Sequence, residues 1–218
     1  TRNSDAIFLC NPNNPTGLFS YDLVKKLVEK IDHSIRILID ESFIEFVSEQ
    51  KHPRSFIEKI NEFRNVVVLR SLTKSFGLAG LRLGYCVSHP TMAKKLSHNK
   101  ITWNINGLAQ LAGITALDNL SHLRKARKII STERELMYNK INHDLHSFSA
   151  IKSDVNFYLI RLRDGNCRKV RDLILKKNGI LVRECSDFKG MNDKYIRVAV
   201  RTHNENLALF DSLESLDK

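Results

Sequence analysis

Cysteine, proline and glycine are all sparse in this 218-residue chain, with 4, 4 and 9 residues respectively, and there is a single tryptophan. The cysteines, Cys10, Cys86, Cys167 and Cys185, are scattered, with no close pair and no histidine at metal-ligand spacing. That pattern argues against a disulfide scaffold and against a zinc module, so the expectation is reduced thiols in the cytoplasm and no metal. No apolar run approaches the roughly 20 residues of a membrane span, which gives no reason to expect a membrane partner. Internal repeats and low-complexity tracts are missing as well. With 42% hydrophobic and 27% charged residues, the composition is that of an ordinary globular chain rather than a disordered one.

Acidic residues are the remaining scarcity: 24 Asp and Glu against 35 Lys and Arg, a net charge of +11. The densest basic cluster, Arg124, Lys125, Arg127 and Lys128, falls within a long helical stretch. Zinc-finger spacing, aromatic-basic interleaving and a basic tail are all missing, so no nucleic-acid partner is expected. A positive field suits an anionic cofactor and a phosphorylated substrate equally well. The chain opens on Thr1 and reaches the strand-like Ala6-Ile7-Phe8-Leu9-Cys10 with no lead-in element, and it reads as a piece of a longer protein. Any leader would belong to a preceding part.

Short β-branched runs alternate with amphipathic stretches of helical length, the pattern of an α/β sheet with crossover helices. Strands are expected at 6–10, 35–40, 65–70 and 83–87, and a short helix at 54–62. Ser20 should cap a helix running to Ile31, with Leu23, Leu27, Val28 and Ile31 on one face. Residues 90–145 read as helices interrupted near Thr102-Trp103-Asn104-Ile105-Asn106-Gly107. A strand at 156–162, a helix at 167–177, strands near 180–183 and 195–200, and a helix at 204–216 then suggest a small α+β domain. The expected division is residues 1–120 and 121–218, the second including a linking helix.

The chemistry concentrates in Arg70-Ser71-Leu72-Thr73-Lys74, followed by Gly77-Leu78-Ala79-Gly80-Leu81-Arg82. A lysine amine there can form a Schiff base with the aldehyde of pyridoxal phosphate, while Ser71, Thr73 and Arg82 converge on the cofactor phosphate. Asp40 ends an apolar strand, where its carboxylate can pair with the pyridine nitrogen and keep it protonated. Asn14 sits in Asn11-Pro12-Asn13-Asn14-Pro15-Thr16-Gly17, a turn stiff enough to aim a side-chain donor at the ring oxygen. Taken singly, the aspartate reads as a loop acid and Asn-Pro-Thr-Gly as a plain turn. Intervals of 26 residues from Asn14 to Asp40 and 34 from Asp40 to Lys74 each fit one strand-helix-strand crossover, which returns successive residues to the same sheet edge and makes one shared pocket the economical reading.

From the Asn-Pro-Asn-Asn-Pro-Thr-Gly turn to Tyr195-Ile196-Arg197-Val198-Ala199-Val200, the chain resembles the pyridoxal-phosphate enzymes of the aspartate aminotransferase superfamily, class I and II branch. The resemblance implies an α/β aspartate-aminotransferase-like large domain, with a mostly parallel sheet whose N-terminal part is missing, plus a small C-terminal α+β domain. It implies Lys74 as the Schiff-base lysine, Asp40 as the pyridine-nitrogen partner, Asn14 as a ring-oxygen donor, and Ser71, Thr73 and Arg82 as phosphate ligands. Arg197 matches an arginine that binds an acidic group of the substrate. Phe43 stands where the superfamily usually has a tyrosine hydrogen-bonded to the ring oxygen, so that bond is absent. A homodimer is implied as well, with the preceding part of the protein supplying the aromatic group that stacks on the cofactor.

Histidinol-phosphate aminotransferases and the threonine-phosphate decarboxylases of the cobalamin pathway are both similar to this chain. The decarboxylases share more of its local runs: Asp-Glu-small-Phe at 40–43, Arg70 to Lys74, Trp103 to Gln110, Arg183 to Phe188 and Arg197 to Arg201. The implied activity is conversion of O-phospho-L-threonine to (R)-1-amino-2-propanol O-2-phosphate, with histidinol-phosphate aminotransferase as the alternative. Both act on a small phosphorylated amino acid or amino alcohol. Arg183 and Arg197 are expected to clamp the substrate's anionic groups, with a surface ion pair as the lesser reading of Arg183, and Asn156 could face the pocket. Trp103 reads as packed at the interdomain helix or bordering the pocket, and His89, His98, His122 and His203 as exposed or capping. A module that has lost activity is the non-enzymatic reading, against which the intact Lys74, Asp40 and Arg82 argue.

Overall fold

The computed structural model describes residues 4–48 and 54–217 and resolves the chain into two compact units. The first holds the chain up to Asn13 together with Phe19–Arg127, and the second holds Asn14–Leu18 together with the chain from Lys128 onward.

In the first unit, four strands form one sheet, the two central ones rich in Ile and Val: β1 (Ala6–Cys10), β2 (Arg36–Asp40), β3 (Val66–Ser71) and β4 (Gly84–Ser88), in that order. The first three run parallel, and β4 returns antiparallel to β3. All four lie within one residue of their expected bounds. Side chains alternate across a strand, so Ile37 and Ile39 share a face with Val66 and Val68, and this face packs on Tyr21, Val28, Phe56, Ile60 and Phe63.

Ser20 caps α1 (Tyr21–Lys30) as expected, its hydroxyl accepting from the Leu23 amide at 3.4 Å. The buried stripe of α1 differs from the expected one: Tyr21, Val24, Val28 and Ile31 face the core, and Leu23 is 68% exposed. The core selected the neighbouring i, i+3, i+7 row, which a run of adjacent apolar residues leaves open. Between β2 and β3 the described chain makes two 3-10 turns, Ile44–Phe46 and Phe56–Lys59, the second replacing the helix expected at 54–62. A segment this short gains too few hydrogen bonds to repay helix nucleation, and Phe56, Ile60 and Phe63 are instead fixed by the core.

The four-residue α2 (Leu72–Ser75) follows β3 directly, and α3 (Pro90–His98), α4 (Gly107–Asp118) and α5 (Leu120–Asp144) follow β4. The break expected near residue 103 is present, and a second falls at Asn119. Trp103 is not packed: it takes a left-handed backbone, φ +55°, and is 97% exposed. Among the described residues no helix is long and apolar enough to cross a membrane.

The second unit is built on an antiparallel sheet in the order β5-β6-β8-β7, formed by β5 (Phe148–Ala150), β6 (Phe157–Leu162), β7 (Arg183–Glu184) and β8 (Tyr195–Ala199). With α6 (Cys167–Asn178), α7 (His203–Glu214) and the C-terminal part of α5, it encloses a core that includes Met137, Ile141, Tyr158, Ile160, Ile174 and Phe210. The strand expected near 180–183 is shorter and later, and β5 was not anticipated. Gly17 ties the Asn14–Leu18 segment to this unit: its carbonyl accepts from the Asp154 amide at 2.9 Å. At φ +73°, with Ser153 Oγ 2.1 Å from where a Cβ would stand, that position admits only glycine.

Candidate active site

Because β1, β2 and β3 are parallel, their C-terminal ends share one edge, where open α/β sheets bind ligands. Asp40 ends β2, and its Oδ1 accepts from the Ser42 amide at 2.9 Å. Burial, followed by the charge on Asp40, pushes up the pKa of the neighbouring Cys10 thiol. Ser71 ends β3 and caps α2; its hydroxyl lies 2.7 Å from that of Thr73, so the two expected phosphate ligands are already paired. Lys74, one residue on, is exposed, with Nζ 5.5 Å from the centroid of the Phe43 ring. Arg82 is exposed and takes a left-handed backbone, φ +55°, and its guanidinium donates to the Ala79 carbonyl at 3.0 Å. A carboxylate, paired hydroxyls and a primary amine at one strand edge form a donor set that fits a phosphorylated aldehyde with a basic ring nitrogen.

The other expected residues belong to the second unit. Arg183 and Arg197 stand opposite each other in the β7–β8 register. Arg197 donates to the side-chain oxygen of Asn14 and lies over the Phe157 ring, 5.0 Å from its centroid. Burial lowers its pKa, Cys185 opposes that shift, and repulsion from Arg183 adds to it. The fully buried Cys185 thiol is pushed up to about 11, chiefly by burial, with Arg197 and Arg183 pulling the other way. Arg183 pairs with Asp187 at 2.5 Å, the surface ion pair that the sequence left open for it. Asn156 immediately precedes β6; its Oδ1 is buried without a hydrogen-bond partner among the described residues, an acceptor that calls for a donor. His203 reaches Glu133 at 3.1 Å, and His89 accepts from the Thr91 amide at the start of α3.

Four charged residues form a network that the sequence did not reveal, although three of them lie in runs it singled out. Glu41, only 2% exposed, accepts from Arg70 Nε at 2.9 Å, Ser55 Oγ at 2.7 Å and the Phe56 amide at 2.8 Å. Arg70 also donates to Glu45 at 2.5 Å, and Arg127 of α5 donates to the Glu45 carbonyl at 2.8 Å. Burial raises the Glu41 pKa, against the pull of these donors. The signal in the sequence was adjacency: Glu41 follows Asp40 and Arg70 precedes Ser71.

Relatives of known description, and solved structures, resemble the chain along nearly its whole length. A protein described as a threonine-phosphate decarboxylase, from Caldanaerobacter subterraneus subsp. tengcongensis, is 33% identical over 215 residues, 98% of this chain and 58% of the relative. A histidinol-phosphate aminotransferase from Methanosphaera stadtmanae is 31% identical over 218 residues, 99% of this chain and 57% of the relative. The chain therefore spans somewhat over half the length of these relatives. Among solved structures, a decarboxylase from Sulfurospirillum multivorans matches with a TM-score of 0.87 at 31% identity, covering 98% of this chain and 62% of that one. The histidinol-phosphate aminotransferase from Clostridium acetobutylicum matches with a TM-score of 0.89 at 28% identity, covering 97% and 64%. The family model for aminotransferase class I and II, a pyridoxal-phosphate-dependent family, matches residues 1–213, and the chain belongs to that family.

Proposed function

We propose that the protein is a pyridoxal-phosphate enzyme acting on a small phosphorylated amino acid, and that its reaction is decarboxylation of O-phospho-L-threonine. The observation that carries this reading is the meeting of Asp40, the Ser71–Thr73 hydroxyl pair and the exposed Lys74 at one strand edge. When bound, the cofactor supplies an electron sink for the bond broken at the substrate α-carbon. The Asp40 carboxylate keeps the ring nitrogen protonated, and Ser71, Thr73 and Arg82 hold the phosphate. Asn14 donates to the ring oxygen.

In the second unit, Arg183 and Arg197 bind the two anionic groups of the substrate, and their cross-strand register supports this pairing. Asn156, whose Oδ1 has no hydrogen-bond partner among the described residues, faces the substrate. The bond from the α-carbon to the carboxylate breaks, carbon dioxide leaves, and Lys74 Nζ delivers a proton to the α-carbon, giving (R)-1-amino-2-propanol O-2-phosphate. The local runs shared with threonine-phosphate decarboxylases support this reaction over its sister.

Amino transfer from histidinol phosphate to 2-oxoglutarate is the second reading, favoured by the 31% identity to the Methanosphaera stadtmanae aminotransferase. The test is carbon dioxide release by the full-length protein with pyridoxal phosphate and O-phospho-L-threonine, with no oxo acid added. Release that is lost in Lys74→Ala supports decarboxylation. No release, with 2-oxoglutarate-dependent turnover of histidinol phosphate, replaces it by amino transfer.

A further inference from the structure

The ion pair between Glu41 and Arg70 is expensive to bury and lies on the opposite face of the sheet from the residues that bear the chemistry. Register makes this arrangement specific. Asp40 aligns with Leu69 in the β2–β3 ladder, and the Glu41 amide continues it to the Leu69 carbonyl at 2.9 Å. Glu41 and Arg70 therefore continue the core-facing rows of Ile37, Ile39 and Val66, Val68, while Asp40 and Ser71 fall on the other face. Each member of the pair is bonded in sequence to one member of the site, so the bridge ties together the two strand ends that present Asp40 and Ser71.

The surrounding groups hold the bridge rigidly. Glu41 is gripped on both carboxylate oxygens by Arg70, Ser55 and the Phe56 amide. Arg70 in turn bridges to Glu45, whose carbonyl is held by Arg127. Two carboxylates face two guanidiniums, so the cluster carries no net charge. A buried ion pair is a poor source of stability, because desolvating both charges offsets most of their attraction and well-packed apolar residues often do as well. Its better-attested use is to specify one geometry.

We propose that Glu41 and Arg70 are positioning residues that fix the relative placement of Asp40 and the Ser71–Thr73 pair from the far side of the sheet, and thereby set cofactor affinity and the protonation of its ring nitrogen. This inference rests on the cofactor role proposed above. Loosening the bridge frees the Asp40 carboxylate to drift from the nitrogen. A ring nitrogen less firmly protonated withdraws fewer electrons, which raises the pH midpoint of the absorbance change of the lysine-bound cofactor.

The deciding variant is the double substitution Glu41→Gln with Arg70→Met in the full-length protein. Gln keeps an acceptor for the Phe56 amide, Met fills the volume of the arginine stem, and Glu45 keeps Arg127, so no buried charge is left unpaired. Three quantities are read: the melting temperature without cofactor, the dissociation constant for pyridoxal phosphate, and the absorbance midpoint. The expected result is a melting temperature close to wild type, with the dissociation constant raised about tenfold or more and the midpoint shifted upward. A double variant with wild-type affinity and midpoint overturns the positioning role. Should it fail to fold, Arg70→Lys, which retains the charge but not the fork, carries the same test, with wild-type values again counting against the proposal. A wild-type protein that develops no cofactor absorbance would remove the cofactor reading itself, and the positioning role with it.

Discussion

Arg197 donates a hydrogen bond to the side-chain oxygen of Asn14, joining residues 183 positions apart within the second unit. With its oxygen engaged by the guanidinium, the Asn14 amide has only its nitrogen left for the donor role proposed for it. Under the proposed roles, the Asn14 acceptor would steady Arg197 while its donor served the cofactor.

Asn14→Asp separates these two duties. The aspartate still accepts from Arg197, now as an ion pair that competes with the substrate for the guanidinium. The donor is lost altogether. KM for the phosphorylated substrate should rise about tenfold, equivalent to roughly 1.4 kcal/mol, with a further loss of cofactor affinity. Initial rates across substrate concentrations measure the first effect, and an unchanged KM would show that Arg197 does not contact the substrate.

Asp187 raises the same question for Arg183. The ion pair between them is about half exposed on both sides, so solvent and salt screen it. Releasing the guanidinium by Asp187→Asn should lower KM about twofold, within the range expected of exposed pairs, and the gain should vanish at high ionic strength. Arg183→Ala should raise KM instead. Wild-type substrate binding by Arg183→Ala would leave Arg183 as a surface ion pair and nothing more.

Phe43 gives a pH-dependent prediction with a definite sign. The Lys74 ammonium lies 5.5 Å from the ring centroid, so the position borders the amine expected to hold the cofactor. A tyrosine there adds a donor that stabilises a negative ring oxygen. Favouring that deprotonated form lowers the pH at which the lysine-bound cofactor changes absorbance. Phe43→Tyr should therefore move the midpoint downward, and a titration that overlays on wild type would contradict it.

β2 and β3 were legible as β-branched apolar runs closed by a polar residue, and those closing residues, Asp40 and Ser71, are the ones to which the proposed function assigns cofactor contacts. The neighbours of Lys74 drew attention to it, although its four-residue helix was not legible, since so short an element has no periodicity to read. β5 escaped for the same reason, with only Phe148, Ser149 and Ala150 to declare it. The Glu41–Arg70 bridge was hidden differently. Both residues stood inside quoted motifs, but pairing them requires the β2–β3 register, a long-range property no single stretch encodes. The turn around Asn14 was legible, but not that its segment groups with the second unit, which Gly17 decides through its fit against Ser153.

Gly84 tests whether the end of β3 must keep its place for the site to work. It pairs with Ser71 in the antiparallel register, and a Cβ built on it would stand 2.7 Å from the Arg70 carbonyl oxygen. The obstacle is backbone, so relief requires β4 to lift away from β3 rather than a side chain to turn. Gly84→Ala should cost about 1–3 kcal/mol, the usual range for forced overpacking. Because β4 pairs directly with the end of β3 that holds Arg70 and Ser71, affinity for pyridoxal phosphate should fall along with the melting temperature. Gly80→Ala is the control for stability, since a Cβ there meets nothing within 4 Å. Thermal unfolding and cofactor titration of both variants decide the matter: a destabilised Gly84→Ala protein with undiminished cofactor affinity would mean that Ser71 does not hold the phosphate.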